Sequence, residues 1–274
     1  HSDDPTQWLF EGTVPSATEP LQVAVARLLG YRWPDQEPDD LDALADGDGI
    51  VALPALSGEL EAASRLRTVL ARAYGDTWSS DVERQLVVAA GGKNGVLADW
   101  LRDSFFAHHC KVFGQRPFLW QIWDGRKDGF STIVNYHRLD DATLAKLTFT
   151  TLGGWIDRQR SDAAAGVAGA DARLLAAQGL QRRLKLILDG APPYDVYVRW
   201  KELEEQPIGW QPDLDDGVRL NIRPFVEAGV LRSKVAVHWK RDRGTNPDGT
   251  ERHNDLHPTL DGRQAARTAA GLGS

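Results

Sequence analysis

Arg116-Pro-Phe-Leu-Trp-Gln-Ile-Trp-Asp-Gly-Arg-Lys-Asp-Gly-Phe-Ser-Thr-Ile-Val-Asn-Tyr-His-Arg138 is the stretch on which the fold turns. Phe118, Trp120 and Ile122 alternate with Leu119, Gln121 and Trp123, and Phe130, Thr132, Val134 and Tyr136 alternate with Ser131, Ile133, Asn135 and His137. Period-two patterning, with aromatic and β-branched residues on both sides of Asp124-Gly-Arg-Lys-Asp-Gly129, reads as a β-hairpin. Both faces of its first strand carry large apolar groups, so helices from elsewhere must cover it on both sides, which places the hairpin at the centre.

Working outward, residues 97–113 bring Trp100, Leu101, Phe105, His108 or His109, and Val112 to one face and predict a helix leading into the hairpin. Further upstream, Ser80-Asp81 opens a short helix that Gly91-Gly92 ends. Ser57 is positioned to cap a helix carrying Leu60, Ala63, Leu66, Val69, Leu70 and Tyr74 as far as Gly75. The polar stretch before Pro20 starts a helix over 21–29. The acidic stretches 33–40 and 46–49 read as solvated loop, the second lacking the ligand spacing and closing Glu of an EF-hand. Downstream, Asp140-Asp141 caps a helix through Leu144 and Leu147, and the Ala- and Leu-rich residues 162–189 predict the longest helix, whose Arg182, Arg183 and Lys185 complement its C-terminus. Strands are expected over 194–200, 210–222 and 232–239, followed by a polar tail. The expected fold is α+β: a helical N-terminal part, a central aromatic β-hairpin, a long helix and a strand-rich basic C-terminal part. An acidic helical part, 1–95, and a second part, 96–274, divide it, unless the two form one continuous domain.

With 274 residues and 10 Trp the chain can bury a substantial core. No apolar run approaches the roughly 20 residues that span a bilayer, so a soluble protein with no membrane partner is expected. The single cysteine, Cys110, excludes an internal disulfide framework and fits a reducing cytoplasm. A chain without Met that begins His1-Ser is expected to be a piece of a longer protein carrying a tag remnant. The net charge of −7 is unevenly spread: residues 1–90 hold 6 Lys and Arg against 16 Asp and Glu, residues 91–274 hold 26 against 23, and residues 217–243 hold 7 against 2. A cationic strip of Arg219, Arg223, Arg232, Lys234, Lys240, Arg241 and Arg243, with Arg126 and Lys127 at the hairpin tip, is the candidate surface for DNA phosphates. A solvated turn and charge balance within the fold remain the plain alternative.

Catalytic chemistry is sparse. His253-Asn-Asp-Leu-His257 has two His at metal-sharing spacing with Asp255 between them, but it lacks a zincin Glu, and Pro258 interrupts any helix. A nuclease built on these residues, or on Asp213, Asp215 and Asp216, lacks the remaining ligands. His108-His-Cys110 reads as core and surface histidine beside a buried thiol, without an oriented base or oxyanion donor. Pro192-Pro-Tyr194 is similar to the Asn-Pro-Pro-Tyr signature of amino-methylating enzymes, but Ala191 stands in the Asn position, and no Gly-rich loop after a strand cradles a methyl donor. No catalytic residue and no metal site is assigned.

Arg102-Asp-Ser-Phe-Phe106, His109, Phe113-Gly-Gln-Arg-Pro117, Trp120, Gly129-Phe130, Tyr136-His-Arg138, Asp140 and Leu144 occur in an order that resembles the region downstream of the catalytic domain in large adenine-specific DNA methyltransferases. These include the PglX proteins of BREX phage-defence systems, DISARM methyltransferases and type IIG restriction-modification enzymes. Residues 213–222 resemble another landmark of that region, and 21–30 are a weaker echo. The resemblance implies a non-catalytic C-terminal segment that contributes DNA binding and target recognition. S-adenosylmethionine is then expected on the missing catalytic domain and no cofactor on this chain. The expected partners are double-stranded DNA, the protein's own catalytic domain and other defence proteins. The alternative is a structural or partner-binding domain that braces the catalytic part.

Overall fold

The computed structural model describes residues 9–34, 36–194, 210 and 221–236. The hairpin is present: β2 (Leu119–Trp123) pairs antiparallel with β3 (Ser131–Asn135), in a register that sets Leu119 opposite Asn135 and Trp123 opposite Ser131. All of β3 and the first four residues of β2 are buried, as strands with two apolar faces require. A third strand that the sequence reading did not foresee, β1 (Ile50–Ala52), pairs antiparallel with β3 and makes the order β1-β3-β2. The outer edge of β2 is occupied as well: Trp123 N donates to Val230 O at 2.9 Å, Arg232 N donates to Gln121 O at 2.9 Å, and Ile122 forms an isolated bridge with Leu231.

Helices wrap this sheet. The first, α1 (Pro20–Leu28), starts with Pro at its first position, as expected, and is buried from Leu21 to its end. The next, α2 (Ala62–Tyr74), begins later than Ser57, because Leu56 and Glu59 exchange backbone bonds ahead of it and leave Leu60 exposed. Ser79 caps α3 (Ser80–Ala89), its side chain accepting from Val82 N. The helix expected over 97–113 is two, α4 (Leu97–Asp103) and α5 (Phe105–Val112), divided at Ser104. Asp140 caps α6 (Asp141–Ala145) by accepting from Thr143 N at 2.7 Å, and a π-helical turn over Lys146–Thr151 leads into α7 (Leu152–Ala164). The long helix expected over 162–189 is interrupted: Gly166 and Gly169 take φ of 73° and 76°, and α8 (Ala170–Leu188) starts only after them. A short α9 (Arg223–Glu227) follows. The α+β class holds, with the described strands at Ile50–Ala52, Leu119–Trp123 and Ser131–Asn135. Most of the strands expected over 194–200 and 210–222, and 237–239 of the third, lie outside the described residues; residues 232–236 of the third form no strand, and 221–222 sit in the turn that opens α9. No described helix is long and apolar enough to cross a membrane.

The loop Asp46-Gly-Asp-Gly49, read as solvated, is instead pinned to the end of the hairpin. The Asp46 carboxylate accepts from Asp48 N and Ile50 N and pairs with Arg65 at 3.1 Å, while Arg138 donates to the carbonyls of Asp46 and Gly47. Gly30 lies beneath that arginine with a left-handed φ of 69°, which favours glycine, and a Cβ there would also stand 2.6 Å from the guanidinium carbon. The acidic first third is also more neutralised than its composition suggests. Arg27 pairs with Asp39 and Asp42, Arg32 with Asp42, Arg67 with Glu83, Arg72 with Asp40 and Arg84 with Asp81. With Arg65, all six cations of residues 1–90 are engaged.

His109 fastens helices to sheet. Fully buried, it places Nδ1 2.9 Å from Gln22 Oε1 on α1, and its Nε2 accepts from Leu119 N at the start of β2, 3.1 Å away. That pattern fixes a neutral ring that donates from Nδ1. Burial holds its pKa down at about 3, and the neighbouring His108 lowers it further. The folded value lies below the unfolded one near 6.5, so this contribution to stability is complete above pH 6.5 and is lost as pH falls towards 3. Denaturant unfolding should therefore show about 2 kcal/mol less stability at pH 5 than at pH 7, and His109→Gln should remove most of that difference. An identical pH dependence in the variant would show that the ring does not carry it.

Candidate nucleic-acid interface

The hairpin tip is organised by Asp124. Its carboxylate accepts from Arg126 N at 2.9 Å and Phe130 N at 2.7 Å and so closes the loop from inside, while burial pushes its pKa up against those two bonds. Gly129 makes room for it: a Cβ there would lie 2.3 Å from the carboxylate. The tip side chains then point to different ends. Arg126 pairs with Asp128, which also receives Arg173 of α8 at 3.6 Å, and Arg126 holds the Asp128 carboxyl below its ordinary value. Lys127 is exposed and makes no ion pair among the described residues.

Arg126, Lys127 and Arg232 come together on a cleft of about 230 Å³ beside the tip, with Arg102, Trp123 and Trp155 also on its wall. Arg232 is heavily engaged there. Its guanidinium lies 4.2 Å from the centroid of the Trp123 ring, donates from Nε to Arg102 O at 2.9 Å and pairs with Asp103 at 2.9 Å. Asp103 also pairs with Arg102, and the two arginines, Arg102 first, hold its carboxyl low. This arginine locks residues 230–232 against β2 and α4. Arg223 pairs with Glu227 one turn on in α9. Lys234 is exposed and, among the described residues, without an ion pair. Arg219, Lys240, Arg241 and Arg243 lie outside the described residues, as do Asp213, Asp215, Asp216, His253, Asp255 and His257.

The sequence reading met Arg102, Asp103 and Arg116 only as landmarks of the resemblance, without a site role, and did not single out Lys111; Arg102 and Asp103 knit the cleft, and Lys111 and Arg116 are exposed at the corner between α5 and β2. Nothing local marks them, because whether a cation is neutralised depends on carboxylates distant in sequence. The Cys110 thiol is buried and pushed up to about 12, and His109 is sealed in its two bonds. Among the described residues no three His, Cys, Asp or Glu side chains are grouped to hold a metal.

No family model matches the chain. It is similar to the adenine-specific methyltransferase BrxX of Escherichia coli O9:H4 (strain HS), with 27% identity over 116 residues, covering 38% of this chain and 10% of that protein. It is also similar to the adenine-specific methyltransferase PglX of Lacticaseibacillus casei (strain Zhang), with 27% identity over 115 residues, covering 40% of this chain and 9% of that protein. The chain thus spans about a tenth of the length of the curated relatives it matches, and these similarities relate it to adenine-specific methyltransferases of that kind.

The tip geometry yields a direct check. Gly129→Ala should lower stability by about 2 kcal/mol in thermal unfolding, and in Asp124→Ala, which removes the obstructing carboxylate, adding Gly129→Ala should cost much less. Simple additivity of the two changes would contradict the packing described.

Proposed function

We propose that this chain is a DNA-binding, non-catalytic segment of an adenine-specific DNA methyltransferase from a phage-defence or restriction-modification system, placed after the catalytic domain. The observation that carries the reading is the excess of cations over 217–243, seven against two acids, in a chain similar to two adenine-specific methyltransferases. Phosphate contacts from such a run give sequence-independent grip, which a catalytic domain needs to hold its duplex. Among the described cations, Arg126, Arg223 and Arg232 spend their charge on carboxylates and shape the surface, whereas Lys127 and Lys234 make no ion pair there; on this reading those two take the phosphates together with Arg219, Lys240, Arg241 and Arg243, which lie outside the described residues. On this reading S-adenosylmethionine belongs to the catalytic domain and this segment carries no cofactor of its own.

A second reading, a domain that braces the catalytic part or meets another defence protein, is favoured by the acids of the first third. There 16 carboxylates stand against six arginines, leaving surplus negative charge for a basic partner. A salt titration of duplex DNA binding separates the two. The first reading expects steep salt dependence whose log-log slope falls by about 2 in Arg241→Ala with Arg243→Ala. No binding even at low salt would leave the second reading standing.

A further inference from the structure

Among the described residues Gln115 is the one non-glycine residue with positive φ, 65°. It stands in the turn that ends α5. Gln115 N donates to Cys110 O at 2.8 Å and Gly114 N donates to Lys111 O at 3.3 Å, the two bonds of a Schellman closure, with Gly114 left-handed at φ 54°. Glycine suits the first of these positions, but a second left-handed residue bearing a Cβ persists only where its surroundings hold it. The holding contact is distant in sequence: Gln115 Oε1 accepts from Ala236 N at 2.9 Å. With Val235 buried in the core, this bond fixes the entry to the basic run against the corner between α5 and β2.

Three exposed cations lie within four residues of that bond along the chain: Lys111 in the last turn of α5, Arg116 next to Gln115, and Lys234 two residues before Ala236. None makes an ion pair among the described residues, in contrast to Arg102, Arg126, Arg173, Arg223 and Arg232. The carbonyls at the end of α5 complement Lys111, whereas Arg116 and Lys234 have no ion pair among the described residues. A cation without a carboxylate is the kind that neutralises a phosphate at no cost in broken ion pairs, and in sequence the chain continues to Lys240, Arg241 and Arg243.

We propose that Lys111, Arg116 and Lys234, set in place by the bond between Gln115 and Ala236, form a phosphate-binding corner for the backbone of duplex DNA. This rests on the DNA-binding reading and adds residues that the cationic run alone does not identify. Binding of a labelled duplex to the full chain, titrated with salt, tests it. Lys111→Ala, Arg116→Ala and Lys234→Ala together should reduce the log-log slope by about 2 to 3 and weaken binding at least tenfold. Lys93→Ala with Arg182→Ala removes two exposed cations elsewhere that likewise make no ion pair among the described residues, and should leave both nearly unchanged. Gln115→Gly keeps the left-handed turn but deletes the acceptor, and should weaken binding several-fold with the melting temperature unchanged and all three cations present. Binding that is insensitive to the triple variant, or reduced equally by the Lys93 and Arg182 pair, would overturn the corner while leaving the DNA reading intact. Wild-type affinity in Gln115→Gly would overturn the role given to the clamp, and absence of DNA binding by the unsubstituted chain would remove both proposals.

Discussion

One neutral imidazole sets the frame. His109 is sealed from water among Phe105, Phe113 and Phe118, with ring centroids 4.5 to 5.5 Å away, and its two nitrogens are spent on Gln22 of α1 and the Leu119 amide of β2. Charging the ring would strand a cation in an apolar pocket and abolish the acceptor that Leu119 needs, so the interaction exists only in one protonation state. Because it joins an early helix, the helix before the hairpin and the first hairpin strand, it decides where the sheet sits. The outer edge of β2 can then be closed by residues 230–232, more than a hundred positions later.

On that frame arginine serves mainly as a strut. Arg27 is almost wholly buried between Asp39 and Asp42, Arg138 grips the backbone of the loop before β1 over Gly30, and Arg232 spans Trp123, Asp103 and the Arg102 carbonyl. The planar guanidinium suits these multidentate roles, which a lysine ammonium would not fill. The cations that make no ion pair among the described residues, Lys111, Arg116, Lys127 and Lys234 among them, are therefore better candidates for an outside anion than a count of charges suggests.

The hairpin, the start of α1, the Asp140 cap and the turn at Gly91-Gly92 could be read from the sequence because each is a local signal: alternation, proline, a capping carboxylate, paired glycines. Strand β1 could not, since three residues carry no period and its pairing of Ile50 with Val134 spans the chain. Ser104 splits a helix without Gly or Pro to announce it, and Ala- and Leu-rich flanks masked the break at Gly166 and Gly169. Within the candidate site the residue types were visible but their commitments were not. The partner of Arg232 is Asp103, and the only sequence clue to the Gln115 clamp would be a residue tolerant of left-handed backbone, which Gln is not.

Hydrogen exchange of the full chain with and without a duplex tests most directly the central claim, that the cationic late segment and the α5–β2 corner face DNA while the acidic first third does not. The account predicts slowed exchange at residues 111–117, around Lys127 at the hairpin tip and in the segment from 219 onward, with residues 36–48 unchanged. Protection of the acidic loops, or of the hairpin tip alone, would contradict it.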